Sequence, residues 1–574
     1  MHCHLLRRTI PLLGLLLVCH CVSRSWAVDL VRLTPANYDR FAPEGKEVDA
    51  IYGDWVLRND RIVAVIAAPV AGRNANMTVR GVGGMLIDMT TWDAPSDQLS
   101  CFYPAGGRYL FTDASQGAVV RDGGSPLALD GDHLGASEIR VSVTGNAINQ
   151  DGTTATVTYT LRNGQDWIDY EVTIHNPAES PVELPIEDML RCDGNLFRTG
   201  TLEDNQVFFA EDRYFGQCYG IQNFAGPIAK LGGRNMQLRP RENPLRKVTA
   251  AQPLQWQGVI ACSQGLPGIR QWATSRRTQT GPRQLVVLNI SDILGPVDHA
   301  VVELWQDGRS LGTVQSNDAG RVALRLLPDR YRVQVRSHGV ADAEFSVDVG
   351  DRSIERTLEL PEPSRVAVEI TDGDGRPIPA KVQFIGIDGT TSPDFGPDSA
   401  ISAIKNAVYT AHGQFTQRID PGTYRVIASH GPEYDAATMT IEVAAGQQAS
   451  VRARLPRVVD TSGWVSADFH SHSSPSGDNV SHQTGRVLNL LAEHIEFAPC
   501  TEHNRIDTYV DNLQELGATQ LMATCSGMEL TGNPLPINHQ NAFPLKMHLH
   551  HQDGGGPQTD ADPVKQIERL ALWD

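Results

Sequence analysis

Along most of this chain apolar and polar residues alternate with a period of two, in short runs broken by Gly, Asn and Asp. That spacing puts apolar side chains on one face of an extended strand and polar ones on the other. From Val28 to about Gln284 it predicts a large antiparallel β-domain, with Arg61 to Ala68 as one strand. The clearest element is a hairpin: Thr154 to Arg162 and Asp166 to His175 alternate, and Asn163-Gly164 lies between them. Asn-Gly is the strongest two-residue turn signal.

A second pattern occurs twice. Leu327-Pro328-Asp329-Arg330-Tyr331 runs on to Ser337-His338-Gly339, and Asp420-Pro421-Gly422-Thr423-Tyr424 runs on to Ser429-His430-Gly431. Each copy opens with an alternating strand, Ala300 to Trp305 or Arg365 to Ile370, and closes with another, near Ala343 to Val349 or Thr438 to Val443. Two small modules follow, at 285–361 and 362–457. The Pro-Gly-x-Tyr corner resembles the transthyretin-like sandwich found as carboxypeptidase regulatory-like or Ig-like modules. The Thr154 to Asn176 hairpin resembles segments of carbohydrate-handling supersandwich folds of the galactose-mutarotase type. Tyr331 and Tyr424 read as buried corner residues. His338 and His430, each alone on a loop, read as structural, and the modules as spacers or docking surfaces.

After Pro456 the period changes. Trp464 to Phe469, Ile495 to Cys500 and Gln520 to Thr524 read as strands, separated by helical patterns over Val487 to His494 and Asp507 to Leu516. Strand and helix in alternation predict a parallel sheet with right-handed connections, and chemistry then gathers at the C-terminal strand ends. His470 and His472, Glu502 and His503, and Glu529 all fall there. Alternate residues of an extended chain share a face, so His470 and His472 can approach one ion together. Asp468 can orient an imidazole by accepting its other ring proton. Imidazole and carboxylate donors suit zinc, manganese or iron rather than calcium. Nine of the eighteen histidines lie after residue 457, which supports a site rather than scatter. His482 and His494 read as surface or packing residues, His548, His550 and His551 as a solvated loop, and Cys500 and Cys525 as small core residues.

Asp468-Phe469-His470-Ser471-His472, Thr501-Glu502-His503-Asn504 and Gly527-Met528-Glu529 resemble the first three motifs of PHP-domain metal-dependent phosphoesterases. Asn538-His539-Gln540-Asn541 and Gly554-Gly555-Gly556 are similar to the carbaryl-hydrolase-like branch of that superfamily. The resemblance covers 458–574 and implies a distorted (β/α)7 barrel with two or three divalent metals. It implies metal ligands at His470, His472, Asp478, His503, Glu529 and His539, with Glu529 bridging two metals. It implies catalytic carboxylates at Asp468 and Glu502, the latter standing where many relatives have Asp. The activity implied is attack of a metal-activated water on a phosphoryl or carbonyl centre. Relatives go on to a His-Pro strand end and a late Asp-x-His strand. Neither occurs before Asp574, so the expectation is the opening part of a barrel, a metal-dependent hydrolase if that barrel is completed.

Composition narrows the setting. Arg7 and Arg8, the apolar run Ile10 to Val18, and the small residues Ser25 and Ala27 read as a secretory signal over residues 1–27. Val18 and His20 disfavour lipoprotein cleavage before Cys19 or Cys21. Removing that segment takes away three arginines and no acid, moving the formal charge from −18 to −21. Such a surface repels phosphate backbones, which argues against nucleic acid as a partner. No later run is apolar and long enough to span a membrane. The six remaining cysteines are too scattered for a disulfide framework, with a Cys192–Cys218 bridge as one option.

The expectation is therefore a multidomain, exported protein, secreted, periplasmic or at the cell surface. It has a β-rich N-terminal domain, two transthyretin/Ig-like modules and a C-terminal α/β partial PHP barrel. Its function is hydrolysis of a small phosphoester or a carboxylic or carbamic ester. The rival is a binding protein whose N-terminal sandwich contacts carbohydrate and whose C-terminal segment is vestigial. A purely structural cell-surface array is the third reading.

Overall fold

The computed structural model describes residues 27–573, apart from 150, 193–196, 225, 280, 533–538 and 558. The signal segment expected over residues 1–27 lies outside them except for Ala27. The protein is β-rich and multidomain, built from several separate sandwich-like pairs of sheets. A nine-stranded and a ten-stranded sheet make the N-terminal domain, around a core that runs from Val28 to Cys262.

The hairpin Thr154–Arg162 and Trp167–His175 lies in the larger sheet, with Thr154 opposite His175 and Thr160 opposite Asp169. Its residues alternate between buried and half-exposed, as the sequence pattern requires. The connection spans residues 163–166, longer than a two-residue Asn-Gly turn, and within it only Gly164 takes a positive φ. The Asn59 side chain holds the longer loop open, donating to the carbonyls of Arg162 (2.9 Å) and Gln165 (2.8 Å). One element escaped the strand-dominated reading. The helix Gly265–Thr278 packs Leu266, Ile269 and Trp272 against Phe209, Val259 and Ala261 of the larger sheet.

Each module closes around its own core, Val286 to Leu360 and Val366 to Leu455. In both, the opening strand of one sheet pairs in parallel with the last strand, Gln284–Asp292 with Ile354–Glu359 and Arg365–Asp372 with Gln448–Leu455. The tyrosines are corner residues in both copies. Tyr331 and Tyr424 are fully buried, and each hydroxyl donates to the carbonyl four residues back, Leu327 and Asp420, at 2.8 Å.

The repeated Ser-His-Gly segments are joints between successive units, so neither histidine stands alone. His338 Nε2 lies 3.0 Å from the Asp394 carbonyl, and the Gly339 N–H donates to Asp420 at 2.8 Å, both in the second module. His430 packs between Tyr434 and His494, with ring centroids 4.6 and 4.9 Å away. Burial, then the neighbouring His494, pulls its pKa down to about 4. Both glycines are left-handed, at φ +75° and +69°. A Cβ on Gly339 would lie 2.2 Å from the Ser364 carbonyl oxygen, and one on Gly431 2.3 Å from that of Glu493. Only a glycine lets the next unit come this close.

The second module is more than a spacer, because it shares a core with the C-terminal segment. Val487, Leu488 and Leu491 of the helix Gln483–Ala492 pack with Ala411, Tyr409 and Ile401 of the module. Lys381 pairs with Glu493, and His412 Nε2 lies 2.9 Å from the Leu516 carbonyl. The three expected strands of this segment run parallel but are joined only by single bridges, Ala467 to Phe497 and Phe497 to Ala523. Both expected helices form: the first starts earlier than expected, at Gln483–Ala492, and the second is shorter, at Val510–Glu515. Met528–Leu530 then pairs antiparallel with Gln540–Ala542. No closed barrel is present among the described residues.

Cys192 and Cys218 are both buried and no disulfide joins them. No helix among the described residues is long and apolar enough to cross a membrane.

Candidate metal centre

The His-x-His run is aimed by the residue between its histidines. Ser471 is buried: its N–H donates to Thr501 Oγ1 at 2.9 Å, and its hydroxyl lies 2.8 Å from that of Tyr509. Alternation along the extended backbone then turns His470 and His472 together to the opposite face. Backbone bonds bring in the second and third motifs. Glu529 N–H donates to the Glu502 carbonyl at 2.9 Å, and Asn504 N–H to that of Glu529 at 2.7 Å.

The Glu529 side chain is fully buried, and imidazoles converge on it. Its Oε2 lies 3.0 Å from His470 Nε2, 2.9 Å from His472 Nε2 and 3.1 Å from His503 Nδ1. Its Oε1 accepts no hydrogen bond and faces His539 Nδ1 at 3.3 Å. The Nε2 atoms of His470 and His472 are themselves 2.8 Å apart. His503 Nε2 reaches Asp478 Oδ2 at 3.0 Å. All six expected ligands therefore lie within one cluster, open to solvent where His470, Asp478 and His539 are half exposed.

These residues fit a divalent metal. A buried carboxylate with an unbonded oxygen, and imidazole nitrogens turned toward one another, is an arrangement that a shared cation satisfies. The ligand atoms of His470, His472 and Glu529 all lie within 4.8 Å of one another. Burial, then the neighbouring His503, holds the His472 pKa below the ordinary imidazole value, which favours the neutral form that binds metals.

The two carboxylates expected to be catalytic are held differently. Asp468 accepts the backbone N–H of His470 at 3.0 Å, a contact to the backbone rather than to an imidazole. Glu502 is fully buried and accepts hydrogen bonds from the Ser473 N–H (3.0 and 3.1 Å), the Ser473 hydroxyl (2.5 Å) and the Ser476 hydroxyl. Burial, then the nearby Asp507, raises the Glu502 carboxyl to about 7. Ser476 Oγ also lies 3.0 Å from His472 Nδ1 and accepts the His503 N–H at 3.1 Å. Glu502 thus reaches the ligands through one serine.

Sequence reasoning passed over Ser473, Ser476 and Thr531, whose hydroxyl is 2.7 Å from His503 Nδ1. The hydroxyl-rich Ser473-Ser474-Pro475-Ser476 directly after His472 was the signal for the first two. Three other histidines of this segment make structural contacts. His482 Nδ1 accepts the Thr484 N–H at the start of its helix, and His494 belongs to the module joint. His550 is not in a solvated loop: it stacks on Tyr38 at 3.5 Å, and its carbonyl accepts the Tyr52 N–H at 2.9 Å. Cys500 is buried and its thiol is pushed up by burial, consistent with a core residue.

No family model and no curated protein sequence matches the chain. Among solved structures it is similar to a TPR-domain containing protein from Parabacteroides distasonis, at 12% identity and a TM-score of 0.26, over 37% of this chain and 47% of that one. The chain thus spans about half the length of that protein. It is also similar to a 5-hydroxyisourate hydrolase from Klebsiella pneumoniae (20% identity, TM-score 0.12, 13% of this chain and 88% of that one). A third is an alpha-galactosidase from Lactobacillus brevis (11% identity, TM-score 0.24, 43% of this chain and 45% of that one). At such TM-scores these likenesses carry no argument about fold or function.

Proposed function

We propose that the chain is an exported metal-dependent hydrolase of PHP type, acting on a phosphoester or on a carboxylic or carbamic ester. The observation that carries the reading is the convergence of His470, His472 and His503 nitrogens on one buried oxygen of Glu529, at 2.9–3.1 Å. A bound zinc, manganese or iron ion would supply Lewis acidity and a water acidified toward neutrality. Two such ions are in keeping with a ligand set that extends from His470 through Glu529 to His503 and Asp478.

The chain's own residues have separate tasks. Glu529 holds negative charge at the centre. Ser476, backed by Glu502, fixes the His472 ring through Nδ1 and leaves Nε2 facing the cluster. Thr531 and Asp478 hold the two nitrogens of His503. The half-exposed flank at His470, Asp478 and His539 is the side from which a small ester would enter.

Metal analysis of the purified protein tests the reading, together with hydrolysis of p-nitrophenyl phosphate and p-nitrophenyl acetate. The expected result is at least one tightly held transition metal and a hydrolysis rate that collapses in H470A and H472A. A metal-free, inactive protein that binds glycans would favour the carbohydrate-binding alternative and sink the hydrolase.

A further inference from the structure

The N-terminal sandwich touches the C-terminal segment beside the cluster, and one of its contacts falls on the residue before a ligand. Gly477 ends the short turn Ser474–Ser476 in a left-handed conformation, φ +74°. Its carbonyl accepts a hydrogen bond from Arg234 Nη2 at 2.6 Å, across 243 residues of sequence. A Cβ on Gly477 would lie 2.5 Å from Asn76 Oδ1. Asn76 is itself a fixed wall, since that oxygen accepts the N–H groups of Thr78 (2.9 Å) and Val79 (3.0 Å). The loop is tied a second time, where Gln552 Oε1 accepts the Asn74 N–H at 3.1 Å and Gln552 Nε2 donates to the Asn74 carbonyl at 3.1 Å. Asp478, directly after the gripped carbonyl, meets His503 Nε2 at 3.0 Å with a side chain that is 48% exposed. A half-exposed carboxylate on a turn has many rotamers available, and its backbone is anchored here by a different domain.

We propose that Arg234 of the N-terminal sandwich is a positioning residue for the metal centre, acting through the Gly477 carbonyl to hold Asp478 against His503. The inference rests on the metal-centre reading above. Residues that orient ligands typically change metal affinity about ten- to a hundredfold when removed, and Arg234 belongs to that class although it lies in another domain. The sandwich is then part of the centre and not an appended module.

The test uses the full chain titrated with Co²⁺, read by affinity and by the visible absorption of the bound ion. Arg234→Met keeps most of the side-chain volume and removes the donor, and Arg234→Ala is the second deletion should Met disturb folding. The expected result is Co²⁺ binding weakened at least tenfold, with a band shifted as in Asp478→Asn. Adding Arg234→Met to Asp478→Asn should change affinity less than twofold further, because both act on one ligand. Arg234→Lys should recover most of the affinity. Wild-type affinity and spectrum in folded Arg234→Met, or losses that add in full with Asp478→Asn, would overturn the role of Arg234 alone. No uptake by the wild type, or full uptake by His472→Ala, would overturn the metal centre and this role with it.

Discussion

Replacing Gly431 by alanine should open the joint between the second module and the C-terminal segment. Two costs add at this position. Gly431 has φ +69°, and an alanine held in the left-handed region costs about 1–2 kcal/mol. Its Cβ would also lie 2.3 Å from the Glu493 carbonyl oxygen and 3.2 Å from His494 Cβ, so two backbones have to part. Forcing such room into a packed interface costs a further ~1–3 kcal/mol. Gly375 of the same module separates the terms: its φ is +85°, yet a Cβ there meets nothing within 4 Å. Gly375→Ala should therefore lose only the backbone cost, and Gly431→Ala about 2–5 kcal/mol. Denaturant unfolding of both variants reads the difference, and limited proteolysis of the connection after Leu455 shows where the molecule opens. Gly339→Ala should reproduce the effect at the first joint, where the clash is with Ser364. Equal losses in Gly431→Ala and Gly375→Ala, with no new cleavage, would refute the idea that the Ser-His-Gly segments are close-packed joints.

Three further outcomes are expected. His430 titrates near 4 in the folded protein against 6.5 when free, so the unfolded chain takes up the proton first. Its contribution is complete above pH 6.5 and fades as pH falls toward 4. About 2 kcal/mol should be lost by pH 5, and a pH-dependent melt that is unchanged in His430→Gln would contradict this. Ser476→Ala leaves Glu502 and His472 each short of a partner. It should destabilise the C-terminal segment by about 1–3 kcal/mol and weaken metal binding about ten- to a hundredfold, measured by chelator competition. Tyr424→Phe and Tyr331→Phe each remove a buried hydrogen bond to a carbonyl. Each should cost about 1 kcal/mol in the unfolding transition of its own module, and a loss confined to one copy would break the equivalence of the two corners.

Much of the site was legible in the residues themselves. Alternation in Asp468 to His472 implies two imidazoles on one face, and strand–helix spacing puts Glu529 and His503 at neighbouring strand ends. What was not legible was the task of each carboxylate. Asp468 and Glu502 look equivalent as acids beside histidines, yet one accepts a backbone N–H and the other is buried on serine hydroxyls. Those roles depend on which side of a peptide plane a side chain leaves, and spacing alone does not specify that. The histidine-rich loop shows the same limit, since what makes His550 a strut is Tyr38, far away in sequence.

By itself, the sequence determined the β-rich character, the two related modules with their buried tyrosines, and the grouping of ligand-type side chains in the last stretch of chain. These follow from local periodicity and from side-chain chemistry, which act over a few residues. The tertiary structure alone decided that the Ser-His-Gly segments are joints, that the second module shares a core with the helix Gln483–Ala492, and that Arg234 reaches the carbonyl before Asp478. Each of these is a contact between surfaces remote in sequence, selected by shape and by the pairing of buried polar groups. No run of neighbouring residues encodes such a contact until the domains are packed together.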